Sequence, residues 1–290
     1  MEVFEVSEST RESKVAGSLF TNLIAFKTKM TVARQICEAA PLSTDTFLMP
    51  IRKNLKSEVN PETMSDIERF YQRKQTDPWN PPLVLREFTK AVILSKRVPS
   101  FLNEMCLSYL VSVFEDLLCA DIRDIYAVIP QMLKMSDKTI SLGNLVDFAT
   151  ITEMRKALIE REISGLTRGG IEDFQAYFKS KMQFDIEAED WNDFTEFFFR
   201  RNLLVHNDLV PDDEYVKKTM YQGDRIRLPI TDEYLDTGFR LFENYAESIT
   251  KQLHLKFCKD LAFVSTDLVI KYELSELQSR IRDFVDTGKV

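Results

Sequence analysis

Apolar residues in this chain recur at intervals of three and four, which is the spacing of amphipathic helices and not of half-buried strands. Between residues 13 and 40, Leu19, Phe20, Leu23, Ile24, Phe26, Met30 and Ile36 follow that spacing, and Pro41 is expected to end the segment. Pro50 interrupts a shorter segment after it. Asn60-Pro61-Glu62 has the order of a helix start, with a capping side chain, a proline at the first helical position and an acid in the first turn. Three prolines between residues 77 and 82 exclude regular helix there and mark the best linker.

Further on, residues 83–96 are helical by pattern, and Pro99-Ser100 is expected to open a long helix over about 100–121, its face made of Leu107, Leu110, Val111, Phe114, Leu117 and Leu118. Residues 122–135 continue in helix with a break at Pro130. A further helix over 142–163 is expected to end at Gly165, Gly169 and Gly170. Residues 215–221 and 225–230 alternate loosely about Gly223-Asp224, which predicts a small β-hairpin. Thr231 caps a last long helix to about Phe257, burying Tyr234, Leu235, Phe239, Leu241, Phe242, Tyr245, Ile249 and Leu253, with His254 near its end as a surface or C-terminal dipole residue. Residues 268–285 again have helical spacing. The fold class is all-α, with that one hairpin around 215–230.

Composition narrows the partners more than the fold. With 290 residues, 44% hydrophobic and 29% charged, the chain can bury one large core or two modest ones. A net charge of -8 excludes nucleic-acid binding by bulk attraction, so any contact with RNA rests on local basic positions. Arg155, Lys156, Lys217, Lys218, Arg225 and Arg227 make the stretch around residues 155–227 a candidate for that. Cys37, Cys106, Cys119 and Cys258 are widely spaced and are expected to be buried thiols in a reducing compartment, without a zinc site. The N-terminal residues lack the pattern of a signal peptide, and no stretch has the ~18 apolar residues of a membrane span, so a cytoplasmic protein is expected.

Candidate chemistry gathers at residues 191–208. The segment 191–199 contains Trp191, Phe194, Phe197, Phe198 and Phe199 and runs into Arg200-Arg201-Asn202-Leu203-Leu204-Val205-His206-Asn207-Asp208. At about 100° per residue, Asn202 and His206 stand one above the other with Arg201 at the edge of the same arc. The helix reads as apolar nearly all round and therefore buried. Buried polar groups need partners. A structural network would supply them, with Arg201 paired to a carboxylate and His206 to backbone; Glu115 is the candidate acid, because it borders the apolar face of its helix.

Arg201-Asn202-Leu203-Leu204-Val205-His206 resembles the Arg-polar-x-x-x-His signature of the HEPN superfamily, the helical domains of many prokaryotic toxin, abortive-infection and RNA-processing endoribonucleases. The order of elements fits as well: a helix with Phe114-Glu115-Asp116, then Lys138-Thr139-Ile140-Ser141-Leu142, the aromatic helix, and Gly223-Asp224 before a long final helix. The similarity covers about residues 95–258, dividing the chain into an N-terminal helical region (1–94), a HEPN-like domain (95–258) and a C-terminal tail (259–290).

The resemblance implies a metal-independent endoribonuclease without a cofactor, acting as a toxin or phage-defence effector. An imidazole that titrates near neutrality and a guanidinium shaped for phosphate are suited to RNA cleavage by the ribose 2'-hydroxyl. In that scheme His206 is the base or acid, Arg201 stabilises charge on the phosphoryl oxygens, and Asn202 orients the phosphate or the imidazole. Asp208 is a candidate to steady His206, and Arg200 to contact RNA or cap the surface. HEPN nucleases are similar in forming composite sites across a twofold axis, so a homodimer through the 191–206 helix is expected, and an antitoxin or defence protein as a further partner. The alternative is a non-catalytic helical module for dimerisation or for nucleotide or RNA binding.

Overall fold

A computed structural model describes residues 8–58, 83–135 and 148–258. Helix α1 spans Glu8–Glu58 and α2 spans Leu83–Val128, followed by a 3-10 segment at Pro130–Met135. Helices α3 (Ile151–Gly169) and α4 (Ile171–Tyr177) come next, and α4 passes into a π-helical turn at Phe178–Met182. Then follow α5 (Trp191–His206), α6 (Asp213–Thr219) and α7 (Asp232–Phe257). Among the described residues there is no strand, so the class is all-α. The hairpin expected around 215–230 is replaced by α6 and irregular chain. The reason is local: Asp212 accepts a hydrogen bond from the Tyr215 N–H at 2.8 Å and so caps a helix where alternation alone suggested a strand.

Prolines proved weaker stops than expected. α1 runs through Pro41 and Pro50, and α2 includes Pro99, so the two helices expected on either side of Pro99 are one. A helical proline forfeits one backbone hydrogen bond and crowds the carbonyl four residues earlier, a cost of about 3 kcal/mol. Burial of Cys106, Leu107, Leu110 and Val111 further along α2 outweighs a cost of that size. Gly165 likewise lies inside α3, which ends only at Gly169, with Gly170 at φ 78°. Thr150 caps α3: its Oγ1 accepts from the Glu153 N–H at 3.1 Å, and Glu153 Oε2 accepts from the Ala149 N–H just before the cap at 3.0 Å. The helix start at Asn60-Pro61, the linker at 77–82, Lys138-Thr139 and the tail at 268–285 lie outside the described residues.

The chain divides into two compact units. One comprises Met1–Met30, Leu110–Arg200 and Phe239–Val290. Its core is aromatic. The Phe114 ring meets Phe26, Phe194, Phe198 and Phe242 edge-on, with centroids 5.2–6.2 Å apart. Phe194 also stacks on Tyr245 at 4.0 Å. Edge-on rings place the positive rim of one on the negative face of the next, adding about 0.5–1.5 kcal/mol per pair beyond the area buried. Of the α1 residues that share the anticipated spacing, Leu19, Leu23, Phe26 and Met30 are buried, Phe20 and Ile24 are half-buried and Ile36 is exposed. Asn22 donates to Asp121 at 2.9 Å and to Asp124 at 3.0 Å. Asp121 is wholly buried, and loss of water lifts its carboxyl to about 8.

The second unit comprises Thr31–Tyr109 and Arg201–Gly238. Here the buried Asn103 of α2 donates to the Ile230 carbonyl at 3.1 Å and to Asp232 at 2.8 Å, holding the start of α7. Thr231 caps α7 as its sequence anticipates, accepting from the Tyr234 N–H at 3.2 Å. Leu203, Leu209, Tyr215, Leu228 and Ile230 are buried in this unit.

Candidate functional site at the end of α5

The residues singled out by spacing fall on the last two turns of α5. In the first unit's share of this helix, Trp191, Phe194, Phe197 and Phe198 are buried, as expected. At the C-terminal end the expectation of a helix buried all round fails. Asn202, Val205 and His206 are exposed, Val205 by 60%, while Leu203 is buried. Three exposed side chains at positions i, i+3 and i+4 make a stripe facing solvent, so Asn202 and His206 need no internal partner. Arg201 flanks the stripe and is half-buried, with its Nε enclosed by protein.

What ends α5 also positions His206. The Asn207 and Leu209 N–H groups both donate to the Leu203 carbonyl, at 2.8 and 3.1 Å. This closure puts Asp208 and Leu209 in the left-handed region, at φ 46° and 61°. Glycine is the usual residue in that role, because a side chain there is crowded by the backbone. Compensation is visible: Leu209 is fully buried, its carbonyl accepts from the Leu228 N–H at 2.9 Å, and Asn207 Nδ2 donates to the Val210 carbonyl at 2.6 Å. His206 is thus the final helical residue, set against a tightly bonded turn.

Asp208 is exposed in the turn after α5. Its carboxylate accepts from Arg227 Nε at 3.3 Å, and the same guanidinium donates through Nη2 to Glu104 Oε1 at 2.5 Å. Ser100 Oγ donates to that Glu104 oxygen at 3.1 Å. Arg227 is held further into its charged form by Glu104 first and Asp208 second. A cavity of about 300 Å³ opens beside this network, lined by Arg97, Ser100, Phe101, Glu104 and Arg227. Sequence reading placed Arg227 only within a basic stretch. Its partners lie 19 and 123 residues away, a pairing that no local pattern encodes.

Arg200 is paired along its own helix, its Nε 2.6 Å from Glu196 Oε1, with both side chains largely buried. Glu115 is half-buried on α2. His254 is buried at 5% exposure, which corrects the surface alternative, and it stands in the last turn of α7, as the C-terminal alternative has it. The turn containing it is closed by the Cys258 N–H on its carbonyl at 2.7 Å, and Leu253 beside it is fully buried.

Among the described residues, no three His, Cys, Asp or Glu side chains stand together as ligands for a metal. No helix among them is long and apolar enough to cross a membrane. No family model, curated protein or solved structure matches the chain.

Proposed function

We propose that this chain is a metal-independent endoribonuclease of HEPN type, cleaving RNA by attack of a 2'-hydroxyl on the adjacent phosphate. The observation that supports this most is the exposure of Asn202 and His206 one turn apart at the end of α5, with the Arg201 side chain beside them. A substrate as large as RNA needs an accessible imidazole, and a helix end provides one. In the reaction His206 removes the 2'-OH proton, the oxygen attacks phosphorus, and the departing 5'-oxygen takes a proton from an acid. Arg201 stabilises the charge gathering on the phosphoryl oxygens and Asn202 orients them. The products are a 2',3'-cyclic phosphate and a 5'-hydroxyl.

One exposed histidine per chain supplies one of the two proton-transfer groups. A homodimer about a twofold axis along α5 supplies the other from a second copy, with the exposed Val205 as an apolar contact between Asn202 and His206. The biological reading that goes with this is a cytoplasmic toxin or phage-defence effector held in check by an antitoxin or defence protein. A second reading is favoured by the enclosed Nε of Arg201: a non-catalytic module for dimerisation or for nucleotide or RNA binding, whose guanidinium braces α5.

One experiment separates the two. RNA is incubated with the full chain and excess chelator, and the fragment ends are identified. The nuclease reading expects cleavage that survives the chelator, leaves cyclic phosphate ends and falls at least ~100-fold in His206→Ala. A folded His206→Ala that cuts as fast as the parent sinks the catalytic assignment.

A further inference from the structure

Cys37 on α1 and Cys106 on α2 both belong to the second unit, and both line one cavity of about 310 Å³. They are 69 residues apart in sequence, and nothing in their spacing suggests a pair. The rest of the lining is apolar. Val32, Ile36, Met105 and Tyr109 rim it and are each 42–55% exposed, so the cavity is open to small molecules. Cys106 lies at its buried side and Cys37 is half-buried, which gives the two sulfurs unequal access.

The sulfurs touch. The Cys106 S–H donates to Cys37, which holds the Cys37 thiol below its ordinary value against burial and the charges of Asp232, Glu38 and Asp236. Cys106 moves the opposite way, kept protonated first by that hydrogen bond and then by burial. Cys119 is different, lifted to about 12 by burial, and Cys258 is lifted to about 11 for the same reason. Cys37 is half-buried at an open cavity whereas Cys106, Cys119 and Cys258 are buried, and the thiolate is the nucleophile, so Cys37 is the reactive sulfur of the four.

We propose that Cys37 and Cys106 form a dithiol modification site that closes to an intramolecular disulfide by exchange with a small neutral or cationic disulfide. In the first step the Cys37 thiolate attacks one sulfur of the small disulfide, whose S–S bond breaks and releases one small thiol. In the second, Cys106 loses its proton to solvent and attacks the Cys37 sulfur, releasing the second small thiol. The two protein thiols are oxidised by two electrons and the small disulfide is reduced by two. Once Cys37 is in a mixed disulfide it no longer holds the Cys106 proton, so the first step prepares the second. The product is apolar and suits the cavity. The carboxylates of Glu38, Asp232 and Asp236 disfavour an anionic disulfide, which sets the preferred class of reagent. This inference is independent of the nuclease reading.

The test uses the full chain with cystamine as the cationic disulfide, read by intact mass and by peptide mapping without reduction. The expected product has lost two hydrogens, maps to a Cys37–Cys106 crosslink and returns to the dithiol with a reductant. Cys106→Ser is expected to stop at a single cysteamine adduct on Cys37. A parent chain that stops at that adduct, reacts first at Cys119 or Cys258, or does not react overturns the proposal. Phenylarsine oxide, which needs two adjacent thiols, provides a measurement on the unmutated protein. One arsenical bound per chain and protecting both cysteines from alkylation supports the pair, and failure to bind overturns it.

Discussion

Arg227 joins Glu104 to Asp208, standing 2.5 Å from the first carboxylate and 3.3 Å from the second, and so ties α2 to the turn that follows His206. The Glu104 side chain is only 16% exposed, so removal of the guanidinium leaves a largely dry carboxylate with Ser100 alone. Arg227→Met is expected to cost about 1–2 kcal/mol in urea unfolding, most of it from that stranded acid. Glu104→Gln in the same background is expected to recover part of the loss. Equal stability of Arg227→Met and the parent would mean that the network carries no net energy.

A charge at the centre of the exposed α5 stripe tests whether two copies meet there. Val205→Asp is expected to convert a dimer to a monomer in sedimentation or light scattering and to lower RNA cleavage at least ~10-fold, while leaving the helical circular dichroism of the folded chain unchanged. Loss of cleavage with the dimer intact would place Val205 in contact with substrate instead.

Asp121 makes stability depend on pH with a definite sign. Below pH ~4 the carboxyl is protonated in both folded and unfolded chains and contributes no slope. As pH rises from about 4 to about 8, the unfolded chain gives up the proton while the buried carboxyl keeps it, so the folded state loses ground throughout that window. Asp121→Asn keeps an oxygen for the Asn22 amide and carries no proton to lose. The variant is expected to match the parent near pH 4 and to exceed it by roughly a few kcal/mol near pH 8, read from urea midpoints across that range. A difference that shrinks as pH rises would contradict the assignment.

Phe114 touches four other rings and is fully buried. Phe114→Ala is expected to cost about 3–5 kcal/mol, through lost burial and the cavity left behind, and Phe114→Leu about half of that. Thermal unfolding followed by circular dichroism measures both. A loss under about 1 kcal/mol for the alanine variant would mean that the surrounding rings collapse into the space.

Legibility differed from residue to residue for physical reasons. Leu107, Leu110, Val111, Phe114, Leu117 and Leu118 were readable as one buried face because helix period and burial agree over the whole run. Of the faces on α7, the spacing anticipated the burial of Leu235, Phe239, Leu241, Phe242, Tyr245, Ile249 and Leu253, while Tyr234 is only half-buried. Prolines misled, since a stop signal costs a fixed local energy and tertiary burial further along the helix offsets it. The alternation at 215–221 misled for the opposite reason: Asp212, just ahead of it, is a helix cap, and that local signal outweighs the alternation.

The end of α5 shows most directly where local information stops. Trp191, Phe194, Phe198, Asn202 and Val205 share one arc of a helix with 3.6 residues per turn, so periodicity alone assigns them one environment. The first three are buried and the last two are exposed. By itself the sequence determined which segments become helices, which faces are apolar, and that an arginine, an asparagine and a histidine stand within one turn and a half of each other. Only the tertiary structure decided which turn of α5 is covered, that Arg227 reaches Asp208 and Glu104, and that Cys37 meets Cys106. Helical period is a property of neighbours along the chain, whereas coverage and pairing depend on residues tens of positions away.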